Sequence, residues 1–132
     1  MTRTQPGPTT ARSAGPIRAV QATAAASVLV LLWQFATAGR ILAGSAATDA
    51  HGAGAIALHV TTGLLVVATL LHARAGGTRW PVVVAALVFL ATFVQAALGD
   101  AGKMSAHVPG AFVIVVGTVW VTAWAFRGRT TA

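Results

Sequence analysis

The chain has 132 residues, of which 56% are hydrophobic and only 8% charged, with a mean hydropathy of +0.77. A soluble domain of this size carries roughly a quarter charged residues, so a water-soluble enzyme, a nucleic-acid-binding domain and a disordered chain are excluded. The nine Lys plus Arg against two Asp plus Glu give a net charge of +7. These charges fall between long apolar runs and do not form a basic face. The absence of cysteine removes disulfides, zinc–thiolate sites, iron–sulfur clusters and covalently attached c-type haem.

Residues 1–17 contain three of the five prolines with Thr and Gly and no apolar run, which reads as a flexible cytoplasmic tail. Four apolar stretches follow, about 19–39, 51–73, 80–99 and 106–126. Each is close to the ~20 residues that cross ~30 Å of hydrocarbon. Barrel strands would alternate polar and apolar residues, whereas Val82 to Phe93 holds a single polar residue, Thr92. The connections are short, so the expected fold is all-α: an antiparallel four-transmembrane-helix bundle over residues 18–127, followed by a short cytoplasmic tail, 128–132. An alternative for the first stretch is a signal peptide, because Arg18 precedes it and Ala36-Thr37-Ala38 resembles a cleavage site.

Charge fixes the expected orientation. Arg3, Arg12, Arg18, Arg74, Arg79, Arg127 and Arg129 collect on one side, and Arg40, Asp49, Asp100 and Lys103 on the other sum to zero. Both termini are therefore expected in the cytoplasm of a chain crossing the inner, or plasma, membrane. Trp80-Pro81 fits a helix start at the inner interface, where Trp120 and Trp124 would join the same belt. Asp49 is placed as a helix N-cap before His51.

Polar side chains within the spans are few. Those singled out are Gln34, His59 and Gln95, with His51 and His107 near the outer ends of helices 2 and 4 and His72 at the inner end of helix 2. Polar groups in hydrocarbon are costly, so these are functional candidates unless they simply hydrogen-bond between helices. No carboxylate lies inside a span, which argues against a proton-coupled exporter. There is no Ser/His/Asp grouping, carboxylate pair or phosphate loop, so no catalytic activity of its own is indicated.

Helices 2 and 4 run the same way and each carries histidine towards its outer end. Two neutral imidazoles facing each other across a bundle can supply both axial nitrogens to a b-type haem. Ala55, His59 and Gly63 are spaced by four and share a face, which leaves a flat surface for a porphyrin. Gly110 and Ala111 follow His107 by three and four. Arg40, at the outer end of helix 1, is a candidate for pairing with a haem propionate, or it snorkels to the headgroups. Gln34 before Gly39 and Gln95 before Gly99 form a faint echo of the kind a duplicated hairpin would leave.

Leu58-His59-Val60-Thr61-Thr62-Gly63-Leu64 resembles the histidine-containing second helix of each half of haem A synthase, and Ala106-His107-Val108-Pro109-Gly110 resembles the start of the fourth. The chain also resembles small four-helix bacterial membrane proteins with histidine at the head of the even helices. The resemblance implies His59 and His107 as haem ligands. Ile56 stands where that family has glutamate, Val60 where it commonly has arginine, and the chain spans one half of the eight-helix enzyme. It therefore implies the holding of haem rather than haem A synthesis.

Level along the helices weighs differently. Counted from the inner boundary at ~1.5 Å per residue, His59 lies about 22 Å up, His107 about 30 Å and His51 about 34 Å. The pair His59 and His107 is ranked first, on the resemblance and the flanking small residues, with His51 as the named substitute. The expected function is a b-type haem-binding membrane protein serving electron transfer or haem handling at the outer side. The alternative is a small accessory or structural membrane protein without cofactor. Expected partners are the lipid bilayer and a larger membrane complex or a second copy of the chain, with no nucleic acid.

Overall fold

The computed structural model describes residues 15–127; most of the two expected tails, residues 1–14 and 128–132, lies outside the described residues. Four α-helices follow one another, α1 (Gly15–Leu42), α2 (Thr48–Arg74), α3 (Trp80–Asp100) and α4 (Met104–Arg127). All four are long and apolar enough to cross a membrane, and the described residues contain no strand.

The helices outrun the apolar stretches because backbone hydrogen bonding continues past the hydrocarbon-length segments. α1 takes in Gly15, Pro16 and Ile17, with proline in the first turn, where its missing N–H costs nothing. α2 begins at Thr48, so Asp49 sits inside the first turn rather than capping it; Ala47 is the cap residue and makes no side-chain cap bond. A carboxylate there still faces the positive end of the helix dipole. α3 begins at Trp80 with Pro81 behind it, as Trp-Pro requires. Gly44, Gly76 and Gly102 take positive φ in the three turns, a backbone region that costs glycine little.

Each helix packs on two neighbours: α1 on α2 and α4, α3 on α2 and α4. α2 and α4 therefore face each other diagonally across the axis, as do α1 and α3. The start of α1 meets the end of α4, where the Gln21 amide donates to the Ala125 carbonyl at 2.8 Å. His51, near the start of α2, and His107, near the start of α4, meet at one end of the bundle, here the His51 end. The other, the Trp80 end, holds the contacts of Trp80 with Trp120 at 5.1 Å and with Trp124 at 5.5 Å.

The exterior is apolar and the interior mixes apolar with small polar residues, unlike the polar-outside arrangement of a soluble protein. Leu29, Leu32, Ile56, Val60, Leu87, Leu90, Phe112 and Val116 are all more than half exposed, whereas Ser27, Thr62, Thr69, Thr92, Gln95 and Thr118 are buried. A continuous apolar exterior of this extent suits hydrocarbon, and small polar residues let helices approach. Most of the buried hydroxyls bond their own helix, as Thr62 does to the Leu58 carbonyl at 2.6 Å and Thr69 to the Leu65 carbonyl at 2.9 Å.

The two hairpins repeat one burial pattern. Val20, Ala24, Ser27 and Leu31 of α1 recur at a constant offset as Pro81, Ala85, Val88 and Thr92 of α3, all buried. Leu58, Thr62, Leu65 and Thr69 of α2 recur as Ile114, Thr118, Val121 and Ala125 of α4. The same registers pair Gln34 with Gln95 and His51 with His107.

Candidate cofactor site

His51 is the fourth residue of α2 and His107 the fourth of α4. Each first turn is closed by a backbone bond from the histidine itself, His51 N–H to the Ala47 carbonyl and His107 N–H to the Lys103 carbonyl, both 2.9 Å. Because the core stripe of α2 runs through Gly54, Leu58, Thr62 and Leu65, His51 extends that stripe by one further turn. His107 does the same for the stripe through Ile114, Thr118 and Val121. Inward orientation at the head of a diagonal helix follows from the register alone.

The two rings meet across the axis with centroids 6.5 Å apart and planes inclined at 60°. His107 Nδ1 lies 2.8 Å from the backbone carbonyl of Gln95. A carbonyl only accepts, so Nδ1 carries the proton and Nε2 keeps its lone pair. His51 Nδ1 lies 2.9 Å from the Thr37 hydroxyl oxygen. Each histidine is thus tied to the odd helix of its own hairpin. Interhelical hydrogen bonds within membranes contribute about 0.6 to 2 kcal/mol each, enough to fix a ring's orientation but small against the packing of four helices.

The glutamines occupy matching places. The Gln34 amide lies over Gly54, where a β-carbon would stand 2.5 Å from it. In the orientation that satisfies both its ends, it donates to the His51 carbonyl at 2.9 Å and accepts from the Ala55 N–H at 3.2 Å. The Gln95 amide lies in the same way over Gly110. Its Oε1, in a side chain that is 9% exposed, has no hydrogen-bond partner. Gly99 supplies the last close approach, 3.1 Å from the His107 ring to where its β-carbon would be.

Both histidines and both glutamines line a cavity of about 430 Å³ and an adjoining one of about 290 Å³. The larger extends between α2 and α3, along Ala55, His59, Ala96 and Gly99. The smaller extends between α1 and α4, along Phe35, Gly39 and Ala111. The two share Gln34, Leu58, Gln95 and Ile114 and together form a slot, with His51 and His107 bordering both parts. Its walls are otherwise mostly apolar, as small-molecule and cofactor sites usually are.

The remaining candidate residues separate from this pair. His59 falls one position off the α2 core stripe; its Nδ1 donates to the Ala55 carbonyl at 2.6 Å and its ring stands 4.2 Å from Phe93, edge to face. It borders the larger cavity alone. Gly63 packs against the Phe89 ring and lines neither cavity. Arg40 is exposed on the last turn of α1 and also lines neither. His72 lies at the Trp80 end, against Gly77 and 5.5 Å from Trp124. No group of three or more His, Asp or Glu side chains converges among the described residues, so the donor set is a facing pair of imidazoles. Such a pair suits a metal whose equatorial positions are already filled, as in a porphyrin.

On sequence His59 ranks above His51, yet the pairing of His51 with His107 has a signal of its own. His-x-x-Gly opens both even helices, with an aliphatic residue at the seventh place after the histidine and threonine at the eleventh. Comparison with protein-family models, curated proteins and solved structures found no match to this chain.

Proposed function

We propose that the chain is a multi-pass plasma-membrane protein that holds b-type haem between His51 and His107, near the outer surface, and serves electron transfer or haem handling. In this reading the helices alternate in direction and both termini lie in the cytoplasm. The seven arginines on the side of the termini and of the α2–α3 turn, against a neutral opposite side, support that orientation.

The observation that carries the haem reading is the facing pair. A metal–imidazole bond is about 2.0 Å and the ring centroid lies about 1 Å behind its nitrogen, so two imidazoles on opposite sides of one metal ion stand about 6 Å apart. The centroids of His51 and His107 are 6.5 Å apart. Both parts of the slot border the pair, and the Nδ1–H of His107 is committed to a backbone carbonyl, the usual arrangement behind a ligating histidine. Gly54, Gly99 and Gly110 keep side-chain bulk away from the glutamines and His107. When bound, a haem would supply one-electron chemistry; His51 and His107 would hold it through their imidazole nitrogens, in a mostly apolar slot.

A second reading is favoured by the fact that each histidine bonds the odd helix of its own hairpin: these residues then only stitch a small accessory subunit. Visible absorption spectra of the detergent-purified protein, oxidised and reduced, separate the two. A low-spin Soret and α-band pattern supports haem; no Soret band after expression with added haem removes it and leaves the accessory reading.

A further inference from the structure

We infer that Thr37 is a positioning residue that holds His51 as its Nδ1–H tautomer, so that the slot presents two imidazole lone pairs and takes an electron-pair acceptor, a metal centre, rather than a hydrogen-bond acceptor such as a quinone carbonyl. The inference deepens the haem reading by assigning its chemical class, and it rests on hydrogen accounting at one buried hydroxyl.

Thr37 is 3% exposed. Its Oγ1 lies 3.0 Å from the Trp33 carbonyl, 3.0 Å from the Gln34 carbonyl and 2.9 Å from His51 Nδ1. A hydroxyl has one hydrogen and two lone pairs, and a carbonyl has no hydrogen to give. If the hydroxyl hydrogen pointed at His51, two oxygen–oxygen contacts of 3.0 Å would be left without a hydrogen between them. Shared between the two carbonyls, the hydrogen satisfies both contacts, and a lone pair of Oγ1 then faces Nδ1. Nδ1 must therefore donate, and Nε2 is bare.

The second hairpin supports the assignment independently. Gln34 and Gln95 occupy the same register, and in that hairpin the Gln95 carbonyl accepts directly from His107 Nδ1. In the first, the matching carbonyl of Gln34 receives the Thr37 hydroxyl, which in turn faces His51. The chain of donors ends on the same carbonyl in both halves, with one hydroxyl interposed in the first. At the register of Thr37 the second hairpin has Leu98, which can do no such work and is not needed for it. Both rings thus turn the same kind of nitrogen away from the backbone, and a quinone carbonyl would find no imidazole N–H to accept from.

Nitrogen-15 NMR of histidine-labelled, haem-free protein in detergent, at a pH where the imidazoles are neutral, reads the tautomer directly. His51 and His107 are expected to show a protonated Nδ1 and a bare Nε2. Thr37→Val, close in shape, should move His51 towards the Nε2–H form while His107 stays unchanged, and should weaken hemin binding by about 10- to 100-fold; Thr37→Ser should restore both. A wild-type His51 with Nε2–H, or a tautomer unmoved by Thr37→Val, overturns the inference. Should Thr37→Val not fold, the wild-type spectrum alone decides the tautomer. Bare Nε2 on both histidines with no hemin binding removes the haem reading and leaves the tautomer assignment standing, so the two failures are distinct.

Discussion

His51 and His107 stand 6.5 Å apart on α2 and α4, two helices that pack on α1 and α3 but not on each other. The rings reach across the axis where a direct helix contact is lacking, and the slot between them is the consequence. If the proposed haem is held there, replacing either ring by alanine leaves the iron five-coordinate or water-ligated. The low-spin spectrum of the loaded protein should then give way to a high-spin one or disappear in His51→Ala and in His107→Ala. His72→Ala, at the opposite end, should leave it unchanged. His59→Ala should keep it too, because that ring is turned against Phe93. Loss of the low-spin spectrum in His59→Ala with retention in His51→Ala would move the ligand a little over two turns down α2.

The glycines under the two glutamines make a paired prediction. A β-carbon at Gly54 would collide with Gln34 and Trp33, and one at Gly110 with Gln95. Overpacking of this kind costs about 1 to 3 kcal/mol. Gly54→Ala and Gly110→Ala should each lower the thermal midpoint in detergent and should do so to a similar extent, because the hairpins repeat. Gly39→Ala and Gly52→Ala, where a β-carbon meets nothing within 4 Å, are the controls. They should match the wild type; equal losses at all four would mean that glycine is needed for its backbone and not for its space.

The spans and the Trp80-Pro81 start of α3 were legible because length and apolarity are summed over twenty residues and tolerate errors at the ends. The choice between His51 and His59 was harder, because it depends on angular register. Eight residues separate them, a little over two turns, and only the burial of Leu58, Thr62 and Leu65 shows which of the two continues the core stripe. Counting levels favoured His51, whereas the local resemblance around His59 and its flanking small residues pulled the other way. The echo between Gln34 and Gln95 was visible, but its partner echo, His51-x-x-Gly54 with His107-x-x-Gly110, decides the register. Thr37 left no trace: a threonine bonded to a carbonyl three or four residues back reads the same in any helix.

The proposed orientation rests on charge and carries an expected reporter result. A reporter fused after Ala132 that works only in the cytoplasm should be active, and one that works only outside should be silent. Short connections carrying Arg74 and Arg79 on one side and a balanced set on the other leave a wide margin for the positive-inside rule. Reversed activity would put the His51 end on the cytoplasmic face and move the proposed haem to that surface.

Gln95 tests whether the slot is built for an occupant. Its Oε1 is buried without a partner, while the matching Gln34 amide is bonded at both ends, so one half of the repeat is satisfied and the other is not. An unsatisfied buried polar atom costs about 1 to 3 kcal/mol, and leucine of similar volume avoids that cost. Gln95→Leu should therefore leave the haem-free protein at least as resistant to heat as the wild type, although a buried polar group has been removed. Gln34→Leu strips two hydrogen bonds from α2 and should lower the midpoint. Thermal unfolding of the two variants side by side, followed by circular dichroism in the same detergent, gives the comparison. A fall for Gln95→Leu as large as for Gln34→Leu would show that the Gln95 amide is already engaged within the bundle, and that the slot owes it nothing.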